Sequence, residues 1–192
     1  MKLILTVLIT ACCFSTLPPI AASDLARTSQ AEGAGSQASV IQAIRNQFAA
    51  INKRAGRYRK VQKELSGFSL EGGQMVAYFD GLAIVKIVAN HYGEGGRAFE
   101  EYYFSKGNLI FVYRKDFTYN RPLSGKVVKT IENRFYFHDD RLIRWIGETE
   151  KQVAAGSPEF LEQQKDYLES SRKFVSGARS KNSTIEAECA NC

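Results

Sequence analysis

Basic and aromatic side chains alternate along one stretch of this sequence and reappear further along. They are Tyr113, Arg114, Lys115, Tyr119, Arg121, Arg144 and Trp145. Cationic groups beside aromatic rings can hold acidic partners, and the rings can stack on sugars or on other aromatics. Aromatic residues are also enriched in sheets, where cross-strand pairs stabilise them, so plain strand chemistry explains the same residues. The pattern therefore predicts a binding surface, with a purely structural role as the alternative.

Residues suited to catalysis are sparse. The chain has two histidines, His91 and His138, and contains no His-Glu-x-x-His pattern, nucleophile elbow or phosphate-binding glycine loop. His138 and the two acids after it could join His91 around a metal, but such residues are ordinary in a hairpin turn. Glu100 and Glu101 should point to opposite faces of a strand, so they cannot serve together as general acid and base. We therefore assign no catalytic residue, no metal and no cofactor, and an enzyme is the least supported interpretation.

A hairpin pattern that would position the aromatic residues occurs twice. Three aromatics, a four-residue polar turn and Leu-Ile make up residues 102–110, and the same order returns at residues 135–143. A looser copy starts at Tyr78 and has the Asp80-Gly81 turn that two-residue hairpins favour. An aromatic strand, a turn and an aliphatic strand predict an antiparallel meander.

The hydrophobic period is two from Tyr58 to Gly147, which predicts six or seven strands. Several of these strands are apolar on both faces, as residues 109–113 illustrate. A strand with a single buried face would alternate with polar residues. The sheet should therefore be either strongly curled or covered on both sides.

Two helices flank the predicted strands. The first should begin near Ser39 and end before Gly56, and it carries one apolar stripe, made of Val40, Ile41, Ile44, Phe48 and Ile51. It should fill the concave side of the sheet, where Phe48 either completes the core or lines a pocket. The second helix begins at Ser157-Pro158 and stops at Gly177. Its apolar pairs recur only every seven residues, so it should lie at the periphery.

The first residues have the pattern of a secretory signal. A positive charge precedes the apolar run 3–17, and small residues then allow cleavage after Ala22. The alternative is a bacterial lipobox, which residues 9–12 resemble, with Cys12 lipidated as a membrane anchor. Cleavage after Ala22 removes Cys12 and Cys13 together and leaves an even pair of cysteines, which suits an oxidising compartment. The chain is thus predicted to be exported, periplasmic or secreted, or else a membrane-anchored lipoprotein.

The predicted organisation is a signal peptide at 1–22, a linker at 23–37, a single α+β domain at 38–176 and a flexible tail at 177–192. No segment after the signal is long and apolar enough to span a membrane. Cys189 and Cys192 have the spacing of redox and zinc motifs, but neither a following helix nor further ligands accompany them. A small-loop disulfide or an incidental pair explains them better.

The hairpin has the sequence Glu-Glu-Tyr-Tyr-Phe-x-x-Gly-x-Leu, followed by Val-Tyr-Arg-Lys. This pattern resembles sequences of small exported bacterial proteins of uncharacterised function. It is also similar to the aromatic-glycine hairpins of MORN-type repeats, over roughly residues 75–146. The second copy departs from that pattern, because Asp140 stands where the first copy has Gly107. The resemblance implies one helix with a curled antiparallel sheet, and it supplies no catalytic residues.

The formal net charge of +6 suits an acidic partner, whereas export argues against nucleic acid. We expect an α+β fold: an N-terminal amphipathic helix packed on a curled, mainly antiparallel six- to seven-stranded meander sheet, with a peripheral C-terminal helix. The leading function is non-enzymatic binding of a protein or envelope component through the sheet surface. The alternative is a carrier for a small-molecule or hydrophobic ligand. A cavity between helix and sheet would favour the carrier, and an exposed aromatic patch over a filled core would favour partner binding.

Overall fold

A computed structural model of the chain describes residues 22–187, and these form an α+β fold with two α-helices and eight strands. The elements are α1 (Ala22–Lys53), β1 (Arg59–Ser66), β2 (Gly73–Asp80), β3 (Ala83–Gly93), β4 (Gly96–Ser105), β5 (Asn108–Tyr119), β6 (Val127–His138), β7 (Arg141–Ile146), α2 (Pro158–Arg179) and β8 (Thr184–Glu186). A short 3-10 helix, Ala55–Arg57, follows α1. The chain divides into two compact units, residues 1–36 and residues 37–192, and every strand belongs to the second.

All eight strands form one open sheet in the order β7-β6-β5-β4-β3-β2-β1-β8. Strands β1 to β7 are antiparallel neighbours in chain order, which confirms the predicted meander. The eighth strand, β8, is not predicted from the sequence. It runs parallel to β1, with Ile185 opposite Leu65.

The two copies of the hairpin pattern are the β4–β5 and β6–β7 hairpins. Their central turn residues, Lys106-Gly107 and Asp139-Asp140, all have positive φ, as tight turns that match the twist of the strands require. In both copies, and in the looser β2–β3 copy, the register shifts between the tyrosine and the phenylalanine that follows it. The middle tyrosine of each copy then packs on one face of the sheet, and its two neighbours pack on the other.

Apolar side chains cover both faces of the sheet. On the first face, called the α2 face, a cluster joins helix α2 to the strands and includes Phe160, Tyr167, Phe174, Tyr102 and Phe135. On the opposite face, called the α1 face, the cluster contains Ile41, Ile44, Ile51, Tyr103, Phe111 and Tyr136. Strands that are apolar on both sides are therefore explained by two separate cores, one on each face.

Helix α2 begins as the sequence predicts, because the Ser157 hydroxyl accepts a hydrogen bond from the Phe160 backbone N–H at 3.3 Å. It continues through Gly177 to Arg179, two residues beyond the predicted stop. The helix is also less peripheral than its narrow stripe suggests, since Phe160, Tyr167 and Phe174 are buried. A narrow stripe is enough here because each aromatic ring buries a large area.

Helix α1 includes residues 23–37, the segment that the sequence predicts to be a linker. Its backbone is helical from Ala22, so Ser39 lies inside the helix instead of capping it. Glycine costs only about 1 kcal/mol relative to alanine in a helix, and the intervening Ala, Gln and Glu residues favour the helix. A polar stretch with two glycines is therefore a weak indication of a linker.

Of the predicted flexible tail at 177–192, residues 177–187 are described, and they include the end of α2 and strand β8. Residues 184–186 form β8, Ile185 is buried, and the Ala187 N–H donates to the Ser66 carbonyl at 2.8 Å. The Lys63 ammonium group donates to the Ser180 carbonyl at 3.0 Å. A three-residue strand contains one inward-facing residue, too few for any periodic pattern.

Residues 1–21 of the predicted signal peptide, with the lipidation candidate Cys12, lie outside the described residues, and so does the pair Cys189 and Cys192. Among residues 22–187, no helix is both long enough and apolar enough to span a bilayer.

Candidate functional site

The structure does not gather the predicted binding residues on one surface. Arg114 lies on the α2 face, where it binds Glu100. Tyr113 belongs to the cluster of the α1 face, and the Lys115 ammonium lies 5.4 Å from its ring centre. The reason is the alternation of strand β5, which sends consecutive side chains to opposite faces.

The remaining predicted binding residues are equally scattered. Trp145 packs against Phe135 on the α2 face, with ring centres 5.1 Å apart. Arg144 is paired with Tyr136 across β6 and β7 and so shares the α1 face. Tyr119 ends strand β5, and Arg121 lies in the exposed loop that follows. The seven residues thus belong to both faces and one end of the sheet.

A charged network lies on the α2 face around the buried carboxylate of Glu100. Glu100 Oε1 accepts a hydrogen bond from Arg114 Nη1 at 2.8 Å. Glu100 Oε2 accepts one from the Tyr102 hydroxyl at 2.7 Å, and His91 Nε2 lies 3.3 Å from the same oxygen. Burial by itself raises the pKa of this carboxyl, but His91, Arg114 and Tyr102 stabilise the charged form, so the pKa lies below its ordinary value. Glu100 is therefore an ionised carboxylate held inside the protein.

Arg114 connects this carboxylate to a second one. Its Nε and Nη2 atoms both donate to Asp116, at distances of 2.7 to 2.9 Å. Burial opposes the charge of the guanidinium, but the bonds to Asp116 and the field of Glu100 raise the pKa of Arg114 above its ordinary value. With both carboxylates bound to it, Arg114 has its charge neutralised within the protein.

An open groove of about 460 Å³ lies beside this network on the α2 face. Its lining includes Phe68, His91, Arg97, Arg114 and Phe174. His91 Nδ1 is buried and has no hydrogen-bond partner among the described residues, while Glu100 holds the other ring nitrogen. A carboxylate that orients a histidine is one half of a nucleophilic catalytic site. Within residues 22–187, no serine, threonine or cysteine side chain completes it by a hydrogen bond to His91.

A second groove, called the α1-face groove, has a different character. Its volume is about 360 Å³, and it lies between α1 and the sheet. The lining residues are Ile44, Arg45, Phe48, Glu101, Phe111, Tyr113, Arg134 and Tyr136. Aromatic rings form a continuous wall, because Phe48 lies 5.5 Å from Phe111, which lies 4.9 Å from Tyr136, measured between ring centres. Such a wall suits a flat apolar molecule.

Two arginines stand over this wall. The Arg45 guanidinium lies 6.0 Å from the centre of the Tyr136 ring, and that of Arg134 lies 5.8 Å from the centre of the Tyr113 ring. Arg134 is also paired with Glu132 at 3.1 Å. Cations at such distances are attracted to the ring faces, so they hold the aromatic side chains in place and add polar groups to an apolar site.

Glu101 is the acid in the α1-face groove, and its charge is already balanced. Lys86 Nζ lies 2.6 Å from its carboxylate, and the Tyr103 hydroxyl donates to it at 2.8 Å. Burial, with Glu101 next to it, raises the pKa of Tyr103, so this hydroxyl stays a hydrogen-bond donor. Asn52 of α1 completes the arrangement by accepting from Lys86 at 3.0 Å.

The sequence predicts, as an alternative, a pocket lined by Phe48 between the first helix and the sheet, but it does not predict that Arg45, Phe111, Tyr113 and Tyr136 line the same groove. The missing information is the pairing of β5 with β6, which sets Phe111 opposite Tyr136. The loop between those strands is too long for a turn type to fix their register. The opposite orientation of the two neighbouring glutamates, together with the strands that are apolar on both faces, indicated two distinct sites.

No family model matches the chain, and no curated protein or solved structure is significantly similar to it.

Proposed function

We propose that this protein is a non-enzymatic carrier that binds a small, flat and largely apolar molecule in the α1-face groove. The observation that carries the proposal is the aromatic wall of Phe48, Phe111 and Tyr136 beside a cavity of about 360 Å³. Ligand pockets commonly have a few hundred cubic ångströms of space, mostly apolar walls and a small number of polar groups. The proposed carrier acts after export, in keeping with the secretory pattern of residues 1–22.

The contrast with the α2-face groove supports this choice of site. There the charged groups bind one another, since Arg114 is shared by Glu100 and Asp116. A ligand would have to compete with these internal bonds for the same charges. In the α1-face groove the lone acid is balanced by Lys86, and the aromatic wall remains free to contact a ligand.

Binding of a protein or envelope component on the sheet surface, the leading expectation from the sequence, has less support. The residues chosen for it are divided between two faces, and helical segments cover much of both. Docking on a sheet face needs a continuous exposed patch. The carrier needs only the cavity between helix and sheet.

The experiment is a fluorescence titration of the protein with 1-anilinonaphthalene-8-sulfonate, an aromatic probe that brightens in apolar sites. We expect saturable binding of one probe per chain, and Phe48→Ala should weaken it by roughly twofold to tenfold, as expected for the loss of one ring contact. Phe68→Ala is the matched control, because Phe68 is a partly buried aromatic residue on the α2 face. Near-ultraviolet circular dichroism checks that both variants keep native packing.

The two variants separate the proposal from its rivals. Weaker binding in Phe68→Ala, with Phe48→Ala unchanged, would place the probe in the α2-face groove and contradict the proposal. The proposal would also be contradicted if Phe48→Ala and Phe68→Ala bound the probe with the same affinity, or if the native protein showed no saturable binding of the probe.

A further inference from the structure

The hairpin formed by β5 and β6 extends beyond the covered part of the sheet. The first four residues of β6, Val127–Thr130, are all exposed, although successive strand residues point to opposite faces. On β5 the residue Thr118 is exposed too. Strand β4 pairs with β5 as far as Thr118, and the exposed positions lie at this end of the hairpin, mainly along the free edge of β6.

The loop at this end, residues 120–126, is well braced. The Leu123 N–H donates to the Glu94 carbonyl at 2.7 Å, across to the neighbouring β3–β4 turn. The Asn120 N–H donates to the Lys126 carbonyl at 3.0 Å, and the Ser124 hydroxyl donates to the Asn120 side chain at 2.7 Å. The loop therefore presents its outward side chains in a fixed arrangement.

The outward side chains are apolar at three positions. Leu123 is 68% exposed, Val128 is 60% exposed and Val127 is 39% exposed. Leu123 also has a φ of 57°, a left-handed conformation that suits glycine or asparagine and disfavours leucine. Neither burial nor backbone preference within the protein explains a leucine here, and strain of this kind concentrates at functional positions.

Cationic side chains surround these apolar residues. Arg121 and Lys126 are exposed, and neither takes part in an ion pair within the described part of the chain. Lys129 is paired with Glu148 at 2.9 Å, and the one acid on the contacting turn is Glu94. Two unpaired positive charges therefore lie at this end of the hairpin, with Leu123 in the loop and with Val127 and Val128 exposed on opposite sides of β6.

We propose that this hairpin tip, defined by Arg121, Leu123, Lys126, Val127 and Val128, docks onto an anionic lipid surface. The aliphatic side chains enter the interface between headgroups and acyl chains, and the two cations pair with lipid phosphates. The two unpaired cations complement the charge of an anionic lipid surface, and the exposed aliphatic side chains suit its interfacial region. Tyr119, which is paired with Val127 at this end of the sheet, is of a residue type enriched at membrane interfaces.

The experiment is co-sedimentation of the protein with vesicles of phosphatidylcholine alone and of phosphatidylcholine mixed with phosphatidylglycerol. We expect binding to the mixed vesicles to exceed binding to the neutral ones. Leu123→Asn should weaken binding to the mixed vesicles by about fivefold to tenfold, a partial loss of the burial of one leucine. Because asparagine tolerates positive φ, this variant should fold at least as stably as the native protein.

Leu82→Asn is the matched control. Leu82 is 89% exposed in the β2–β3 turn, at the opposite end of the sheet, and its φ is not positive. Its substitution should leave vesicle binding unchanged. Because every variant carries the same N-terminal residues, any contribution of those residues to vesicle binding cancels in the comparison.

A second variant tests the charges. Arg121→Glu combined with Lys126→Glu should abolish the preference for phosphatidylglycerol, since each cation near an anionic surface contributes to binding. Equal binding of native protein to both vesicle types would overturn the proposal, and so would equal losses in Leu123→Asn and Leu82→Asn. If the native protein does not bind either type of vesicle but binds polyglutamate through the same two cations, the tip recognises acidic polypeptides and the lipid proposal is wrong.

Discussion

Glu100 and Glu101 are neighbours in the chain, yet they organise opposite faces of the sheet. Each accepts a hydrogen bond from the tyrosine two residues further along, Tyr102 for Glu100 and Tyr103 for Glu101. Each is also balanced by a cation from an adjacent strand. The same arrangement of a tyrosine two residues along and a cation on an adjacent strand therefore stabilises both carboxylates, Glu100 buried and Glu101 partly buried.

The surroundings of the two carboxylates differ. On the α2 face, Tyr102 packs against Tyr167 and Phe174, and the groove there is lined by charged side chains that bind one another. On the α1 face, the rings around Phe48 line a groove whose wall is aromatic. Both faces therefore have a groove, and they differ in the packing of their aromatic side chains, because Phe174 is fully buried whereas Phe48 is only partly buried.

The largest expected effect tests this difference in packing. Phe174→Ala should lower the free energy of unfolding by about 3–5 kcal/mol, because Phe174 is fully buried and its removal leaves a cavity. Phe48→Ala should cost less, about 1–2 kcal/mol, since Phe48 is only partly buried beside an existing groove. Urea denaturation measures both. Equal losses would mean that the α1 face is as tightly packed as the α2 face.

A smaller effect compares the two carboxylates. Glu100→Gln should cost about 2 kcal/mol, because it leaves the buried network of Arg114 and His91 without its central charge. Glu101→Gln should cost about 1 kcal/mol, since Asn52 and Tyr103 still contact Lys86. The comparison uses the same denaturation curves. A larger cost for Glu101→Gln would assign the more important network to the α1 face.

The smallest expected effect is the pH dependence that Glu100 contributes on the α2 face. The pKa of Glu100 is lower in the folded protein than in the unfolded chain, so the unfolded chain binds the proton more readily. The contribution of Glu100 to stability is complete above pH 4.5 and is lost as pH falls through the folded pKa. The stability difference between the native protein and Glu100→Gln should therefore shrink in acid. A difference that grows below pH 4.5 would contradict this assignment.

The sequence predicts the local parts of this molecule well. The turns, the meander, the cap of α2 at Ser157 and the divergence of the two glutamates all follow from residues close in the chain. It does not predict β8, which depends on pairing with distant β1, or the groove, which depends on the β5–β6 register. Successive side chains of a strand point to opposite faces, which places Arg114 and Tyr113 on different faces of the sheet. Neighbouring residues of a strand therefore do not usually belong to the same site.

The large separation of β8 from β1 along the chain has a consequence for the order of folding. Each hairpin of the meander can form as soon as its two strands are synthesised, but β1 stays an unpaired edge until the last strand arrives. The contact of Lys63 with Ser180 joins residues 117 positions apart, so the search that closes this edge is slow compared with hairpin formation. Meanwhile Arg59, Lys60 and Lys63 give the open edge a positive charge, which discourages pairing with the same edge of another nascent chain. The charged strand β1 thus protects the open edge of the sheet until β8 pairs with it.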